Sequence, residues 1–496
     1  MSMPGIANGR LDWRVLGRAI VRRVGRLLFR DPMRRARVGS VLHRSAAHAL
    51  TLGGRRAGVH AALRRTAGRL LRAGSEPSMP IAAPAAMPSA AAAAPSYTSY
   101  KLEIDRTRVL REMSLEELLT GSEEGFTFAV PEIYVDVKHH PLSVPSSNEE
   151  EAKTYLDHKY RAPEMTLERL RDHYWFPEYG FLISKEGKVW RHSVLGQFGD
   201  PDFLTTYAVE KKGEELLFHE FLLHGCPVIE ETVAITSHYA SHNYGHFLLD
   251  MVPLIHKLAG TGLPMMSRPM LDWHKVIYRR LGIDPQSVRI VSDRVVFLKD
   301  VVVSFRHNAV STYAASPQIR DAFDAILRSV RTRSPGEGSK LVFVSRGSSL
   351  SREMRNRAQL AEALAKRGFT IVRPERLTFD DQVATFAGAD IIVSEFGAAM
   401  ANVVFAKPGT KVVEIIPDDQ TDPWSAHLCA ALDLEHVTLF HRVNESDRVP
   451  YEIGGRVLKK IYFRYDADVD LVCRVVDKLM VGAYGGREGA LSESAM

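Results

Sequence analysis

From about residue 340 onward, short β-branched runs alternate with segments whose apolar positions recur at helical spacing. Strands are predicted at residues 341–345, 370–372, 390–393, 412–416 and 436–440. Helices are predicted near 357–367, 378–386, 398–405 and 424–432. That alternation predicts a doubly wound parallel sheet with right-handed crossovers. Residues 387–416 form its most informative stretch. An apolar strand runs into Gly397-Ala398-Ala399, a short helix follows, Lys407-Pro408-Gly409 breaks it, and a second strand starts. Small residues at such a turn admit either a close-packed helix or a ligand, and ligands of open parallel sheets bind at the carboxyl ends of strands.

The first half alternates less regularly. Strands are predicted near 233–236, 288–291 and 295–303, with helices near 274–281 and 316–331 and a hinge at Ser334-Pro335-Gly336. Residues 100–230 suggest a short helix at 115–119 capped by Ser114, another helix at 165–173, and a hairpin around Lys185-Glu186-Gly187. From Asn243 the period becomes helical through Phe247, Leu248, Met251, Leu254 and Ile255, with Pro253 expected to bend or restart the helix. Asn243, His246 and Asp250 share one polar face of this otherwise apolar segment. Three readings apply: an N-cap with two internally bonded side chains, a His/Asp pair that abstracts a proton, and a metal site that adds His238 and His242. The metal reading requires a loop at 237–243 to converge its ligands.

Charge sharpens the division of the chain. Residues 1–75 hold 17 Arg, no Lys and two Asp, a local charge of +15, so the net +6 leaves the remainder at −9. Within residues 10–30, Arg14, Arg18, Arg22, Arg26 and Arg30 recur every four positions opposite Val15, Leu16, Ile20, Val24 and Leu27. This basic amphipathic pattern suits an anionic membrane surface. A solvated tail, protein binding and an organellar targeting peptide are the other readings, and scarce aromatic residues argue against nucleic acid. Ala/Pro-rich residues 75–96 read as a linker. The expected organisation is a tail and linker at 1–98, an α/β acceptor-side domain at 99–310, a Rossmann-like domain at 311–485 and a disordered end at 486–496. Cys226, Cys429 and Cys473 form no zinc or disulfide pattern. No apolar run spans a bilayer, and no secretory signal is evident, so a cytoplasmic protein is expected. Arg346 and Arg352 flank a small-residue turn after the strand at 341–345, which suits a phosphate clamp or an ordinary solvated surface.

Together these motifs resemble glycosyltransferase family 61. The resemblance rests on Asn243-x-x-His246-x-x-x-Asp250, on Ser345-Arg346 with Arg352 and Asn356, on Gln382, and on Gly397-Ala398 to Asn402 followed by Pro408-Gly409 and Val413-Glu414-Ile415. It covers about residues 225–420. Arg357 stands where the family commonly has Glu, and Phe396 where many members have His. The resemblance implies two facing Rossmann-like domains of the GT-B type. It implies transfer of a sugar from a nucleotide sugar, with inversion, to a glycan or lipid-linked acceptor. His246 and Asp250 would then be catalytic. Asn243, Arg346, Arg352, Gly397, Ala398, Asn402 and Glu414 would bind the donor, Glu414 through a ribose hydroxyl, with no metal or other cofactor. A basic tail on an acidic body then suggests a peripheral enzyme of surface-polysaccharide assembly at the inner membrane. A sugar-nucleotide epimerase and a non-catalytic carbohydrate-binding or scaffold protein are the alternatives.

Overall fold

A computed structural model describes, with short gaps, residues 99–137, 159–190, 209–306, 315–330, 340–347, 352–418, 422–448 and 463–482, and a few isolated short strands. Residues 96–496 form one compact unit and residues 1–95 another. The amphipathic stretch at 10–30 apart from Arg10 and Leu11, which form a short strand, lies outside the described residues, as do the linker at 75–96, the hinge at 334–336 and the end at 486–496. Among the described residues, no helix is long and apolar enough to cross a membrane.

The first half is built on a nine-stranded mixed sheet. Its strands are β1 (Glu103–Asp105), β2 (Gly125–Val130), β3 (Met165–Phe176), β4 (Phe181–Ser184), β5 (Lys188–Trp190), β6 (Val228–Ile235), β7 (Met265–Ser267), β8 (Arg289–Ile290) and β9 (Val296–Arg306). The order is β8-β7-β6-β9-β3-β4-β5-β1, with β2 also pairing β3. Strands β8, β7, β6 and β9 are mutually parallel. From β9 to β5 every pairing is antiparallel. The expectation of a doubly wound first half is therefore corrected: four parallel strands carry an antiparallel extension.

That extension also corrects the helix expected at 165–173. Leu-Glu-Arg-Leu-Arg favours a helix in isolation, but β3 pairs with β9 along its whole length, from Met165 opposite Arg306 to Trp175 opposite Val296. Two of its charged residues, Glu168 and Arg169, are buried because they find partners. Arg169 Nε donates to Asp300 Oδ1 at 2.8 Å, and Trp190 Nε1 donates to Glu168 Oε2 at 2.7 Å. Tertiary pairing outweighs local propensity here. The helix at Leu115–Thr120 has its Ser114/Glu117 capping box, and the hairpin turns at Gly187 with φ 79°.

The second half is a five-stranded, wholly parallel sheet: β10 (Leu341–Val344), β11 (Thr370–Val372), β12 (Ile391–Glu395), β13 (Lys411–Pro417) and β14 (Glu435–His441). Its order is β11-β10-β12-β13-β14. In chain order this reads 2-1-3-4-5, so successive connections leave in opposite directions from β10 and open a crevice between the carboxyl ends of β10 and β12. Strand β12 is buried at every position, as its apolar run requires.

The two halves share one apolar core. Leu248, Leu249 and Met251 of the first half belong to the same buried cluster as Met400, Val403 and Phe405 of the second. The helix Arg320–Ser329 lies between them, with Phe323 edge-on to Phe405 at 5.6 Å.

Candidate active site

The polar face of the first half is set by an irregular helix. It is α-helical at Tyr244–His246, π-helical at Phe247–Met251 and α-helical again at Val252–Leu258. Pro253 has no N–H to give the preceding turn, and the ladder widens there: Val252 N–H bonds the carbonyl of Phe247. Asn243 Oδ1 caps the start, accepting from Gly245 N at 3.0 Å and His246 N at 3.4 Å. Asn243 is thus occupied as a cap.

His246 and Asp250 meet on this helix. His246 Nδ1 lies 3.2 Å from Asp250 Oδ2, and His238 Nε2 approaches the same oxygen at 3.3 Å. Ala240 N–H donates to His238 Nδ1 at 3.0 Å, which leaves the proton of neutral His238 on Nε2, facing Asp250. Burial alone would raise the Asp250 carboxyl, but hydrogen bonds from His238 and His246 outweigh it and hold the group well below the usual carboxylate range. The hydrogen bond to Asp250 in turn raises the basicity of His246. With Nδ1–H directed at Asp250, neutral His246 presents a basic Nε2 on an exposed ring. His238 entered the sequence reading only as a possible metal ligand. His242 turns away, its Nε2 3.0 Å from the carbonyl of Pro269. Among the described residues, no group of three His, Cys, Asp or Glu side chains is arranged to hold a metal ion. Asp422, also outside the sequence reading, is within electrostatic range of His246, its carboxyl pushed up to about 6 by desolvation.

The second half supplies a cationic turn at the switch point. Arg346 leaves the end of β10; its N–H donates to Glu395 Oε1 at 3.0 Å and its Nη1 to the carbonyl of Phe396 at 3.1 Å. Glu395, at the end of β12, is 1% exposed and held by Arg357 through Nε–Oε1 at 2.7 Å and Nη2–Oε2 at 3.0 Å. Gly397 has φ 153°, and a Cβ there would lie 3.4 Å from the Arg346 guanidinium carbon. The Arg346 guanidinium thus packs against the turn, and the backbone conformation at Gly397 is one that favours glycine. The Arg352 guanidinium stacks over the Phe396 ring at 5.3 Å. Burial lowers the pKa of Arg346, while burial and then Arg346 itself lower Arg352 to about 10. Both remain cationic at neutral pH. Arg346, Gly347, Ala398 and Ala399 line a cavity of about 530 Å³.

The two groups of residues are joined side by side. Tyr244 OH donates to Asn402 Oδ1 at 2.6 Å, and Asn402 Nδ2 donates to Gln382 Oε1 at 3.1 Å. Gly245, adjacent to His246, packs on Ala398, where an added Cβ would stand 3.5 Å from the Ala398 Cα. The His246/Asp250 pair thus lies beside the cavity wall. Arg346, Gly397 and Ala398 come together there, with Arg352 alongside. Besides Asn243, occupied as the helix cap, two residues expected at the donor do not join them. Asn402 is fully buried as the junction clasp, and Glu414 is fully buried within β13, accepting from Ser425 Oγ at 2.5 Å and His436 Nε2 at 3.0 Å. The expectation that Glu414 meets a ribose hydroxyl is corrected: mid-strand burial leaves it facing core partners. Phe396 is likewise taken into a small cluster with Ile416, Ala426 and Phe440.

Residues 244–413 match the family model described as Glycosyltransferase 61. The match supports membership of that family and marks the chain as a glycosyltransferase. It begins at the Tyr244 clasp and ends in β13, so it takes in both the histidine–aspartate helix and the arginine–glycine turn. No curated protein matches this glycosyltransferase at a significant level. As a glycosyltransferase it uses a nucleotide-sugar donor and an acceptor.

Proposed function

We propose that the enzyme transfers a sugar with inversion from a nucleoside-diphosphate sugar held at the β10/β12 switch point, and that His246 is the base. One observation carries the reading: a His/Asp pair, with its basic nitrogen outward, is fastened next to a cavity walled by a cationic glycine turn. In a single displacement the acceptor hydroxyl loses its proton to His246 Nε2 as its oxygen bonds the anomeric carbon. The carbon–oxygen bond to the diphosphate breaks, and the electron pair leaves with the diphosphate. Asp250 orients the imidazole and stabilises its charged form. Negative charge growing on the leaving group is met by Arg346 and Arg352, so the reaction is proposed to need no metal. A facing arrangement of the two halves, the mixed sheet on the acceptor side and the parallel sheet on the donor side, is kept as part of this proposal for the family's GT-B plan. The arginine-rich residues 10–30 extend it to a peripheral enzyme of the cytoplasmic membrane face, acting on a glycan or lipid-linked acceptor in surface-polysaccharide assembly.

The test is a thermal-shift and turnover screen of the full chain with nucleotide sugars, with and without chelator, followed by NMR of the product's anomeric configuration. An inverted product formed in the presence of chelator and abolished by His246→Ala is expected. Retention, or full activity in that variant, overturns the mechanism. Loss of binding to anionic vesicles on removal of residues 1–75 is expected, and continued binding refutes the tail's role.

A further inference from the structure

The switch-point cavity extends past Arg346 to the end of β11, where Arg373, Glu375 and Arg376 also line it. Glu375 lies in a single 3₁₀ turn, Pro374–Arg376, directly after that strand. Its carboxylate is placed over the β10 turn: a Cβ on Gly347 would stand 2.7 Å from Glu375 Oε1. Gly347 therefore makes room for this carboxylate. Although three arginines line the same cavity, Glu375 has no ion pair or hydrogen bond among the described residues. A carboxylate held at a cavity wall, near but not neutralised by guanidinium groups, is positioned to accept hydrogen bonds from something that enters.

The sheet order identifies what enters. Strands β11, β10 and β12 are adjacent, so Glu375, Arg346 and Ala398 stand at three neighbouring strand tips. At about 4.8 Å per strand, the tips span about 10 Å. In open parallel sheets, the diphosphate lies at the turn after one strand and an acidic residue at the end of the neighbouring strand accepts from the ribose hydroxyls. The cavity volume of about 530 Å³ suits a ligand of that size. Glu414, the acid expected for this task, is sealed in the core, which leaves Glu375 as the carboxylate that lines the cavity.

We infer that Glu375 binds the ribose 2′- and 3′-hydroxyls, so that the pocket selects a ribonucleoside diphosphate with its ribose toward β11 and its diphosphate at Arg346 and Gly397. The inference rests on the proposed donor site and gives that site its orientation. It adds a specificity residue that touches the donor away from the reacting carbon. It also gives Gly347 a role: a larger side chain there displaces the carboxylate from its place.

Calorimetric titration of the full chain with uridine, guanosine, cytidine and adenosine diphosphates, each beside its 2′,3′-dideoxy form, tests this. The tightest ribonucleotide is expected to lose at least about tenfold in affinity when both hydroxyls are absent, as when a charged acceptor loses its donors. Glu375→Ala is expected to bind the two forms equally while keeping its dependence on Arg346, and Gly347→Val is expected to behave like it. Glu375 is exposed, so these variants are expected to fold. Equal affinity of the native chain for both forms, or a ratio unchanged in Glu375→Ala, overturns the role of Glu375 and leaves the donor site standing. If none of the four diphosphates binds, and Arg346→Ala changes nothing, the donor site falls and this inference with it.

Discussion

Replacing Arg357 by alanine should damage both the stability of the second half and its ability to hold an anion. The side chain is 16% exposed and its partner Glu395 is 1% exposed. Two hydrogen bonds, at 2.7 and 3.0 Å, join them. Without the guanidinium, the buried carboxylate keeps only the Arg346 backbone N–H. Removing one partner of a buried pair costs about 3–5 kcal/mol. A unit of roughly 400 residues has an unfolding entropy of about 0.8 kcal/mol/K, so Tm should fall by about 4–6 °C. The carboxylate left behind also attracts the Arg346 guanidinium electrostatically and should draw it away from the cavity. Scanning calorimetry gives the first effect, and titration with a nucleoside diphosphate gives the second as a loss of affinity. A Tm within about 1 °C of the native value would refute the argument, since an uncompensated buried charge cannot be that cheap. Arg357, a departure from the family's common Glu, thus has a structural counterpart in Glu395.

Asp250→Asn should lower kcat by about 10²–10⁴ by weakening and misorienting the base. Because Asp250 raises the His246 pKa, the acid limb of the pH–rate profile should move to lower pH in that variant; an unmoved limb means that His246 is not the titrating base. Arg346→Ala should abolish the stabilisation by nucleoside diphosphate. In the native chain, ligand at one hundred times Kd contributes about 2.7 kcal/mol, a Tm rise of about 3 °C, and a rise preserved in the variant excludes Arg346 from the site. Tyr244→Phe leaves buried Asn402 Oδ1 without its donor and should cost about 1–3 kcal/mol, read as a Tm loss of about 1–4 °C. No loss there would mean that the clasp does not fasten the two halves.

The second half was legible because its strands are buried on both faces. Runs such as Ile391-Ile392-Val393 leave no alternative to a central parallel strand, and the five expected strands match the structure within a residue or two at each end. The first half hid its architecture because its informative contacts are distant in sequence. Nothing local announces that Arg169 will meet Asp300 or that Glu168 will meet Trp190, so β3 read as a helix. His238 was obscured for a related reason: spacing on a loop says nothing about where side chains point, and only the fold carries it to Asp250. Glu375 gave no signal beyond following a strand, because its meaning depends on β11 lying next to β10.

The motif that marks the family combines two kinds of residue that a sequence cannot separate. Tyr244, Gly245, Gln382 and Asn402 fasten the histidine helix to the glycine turn; His246, Asp250, Arg346 and Gly397 stand where that fastening brings them. Asn402 and Arg346 look equally suited to a ligand when read as letters, since both are polar and both adjoin small-residue turns. Burial divides them. Asn402 is fully enclosed and its amide is committed to three partners, whereas Arg346 retains guanidinium surface on a cavity. The clasp has chemical consequences all the same. Transfer requires the base and the leaving-group cations to be held at a fixed separation, and a small misplacement costs orders of magnitude in rate. A hydrogen bond between Tyr244 and Asn402, two residues from His246 and five from Gly397, ties the positions of the base and the anion turn to one another. Its loss should therefore reduce turnover by more than the modest stability cost alone would suggest.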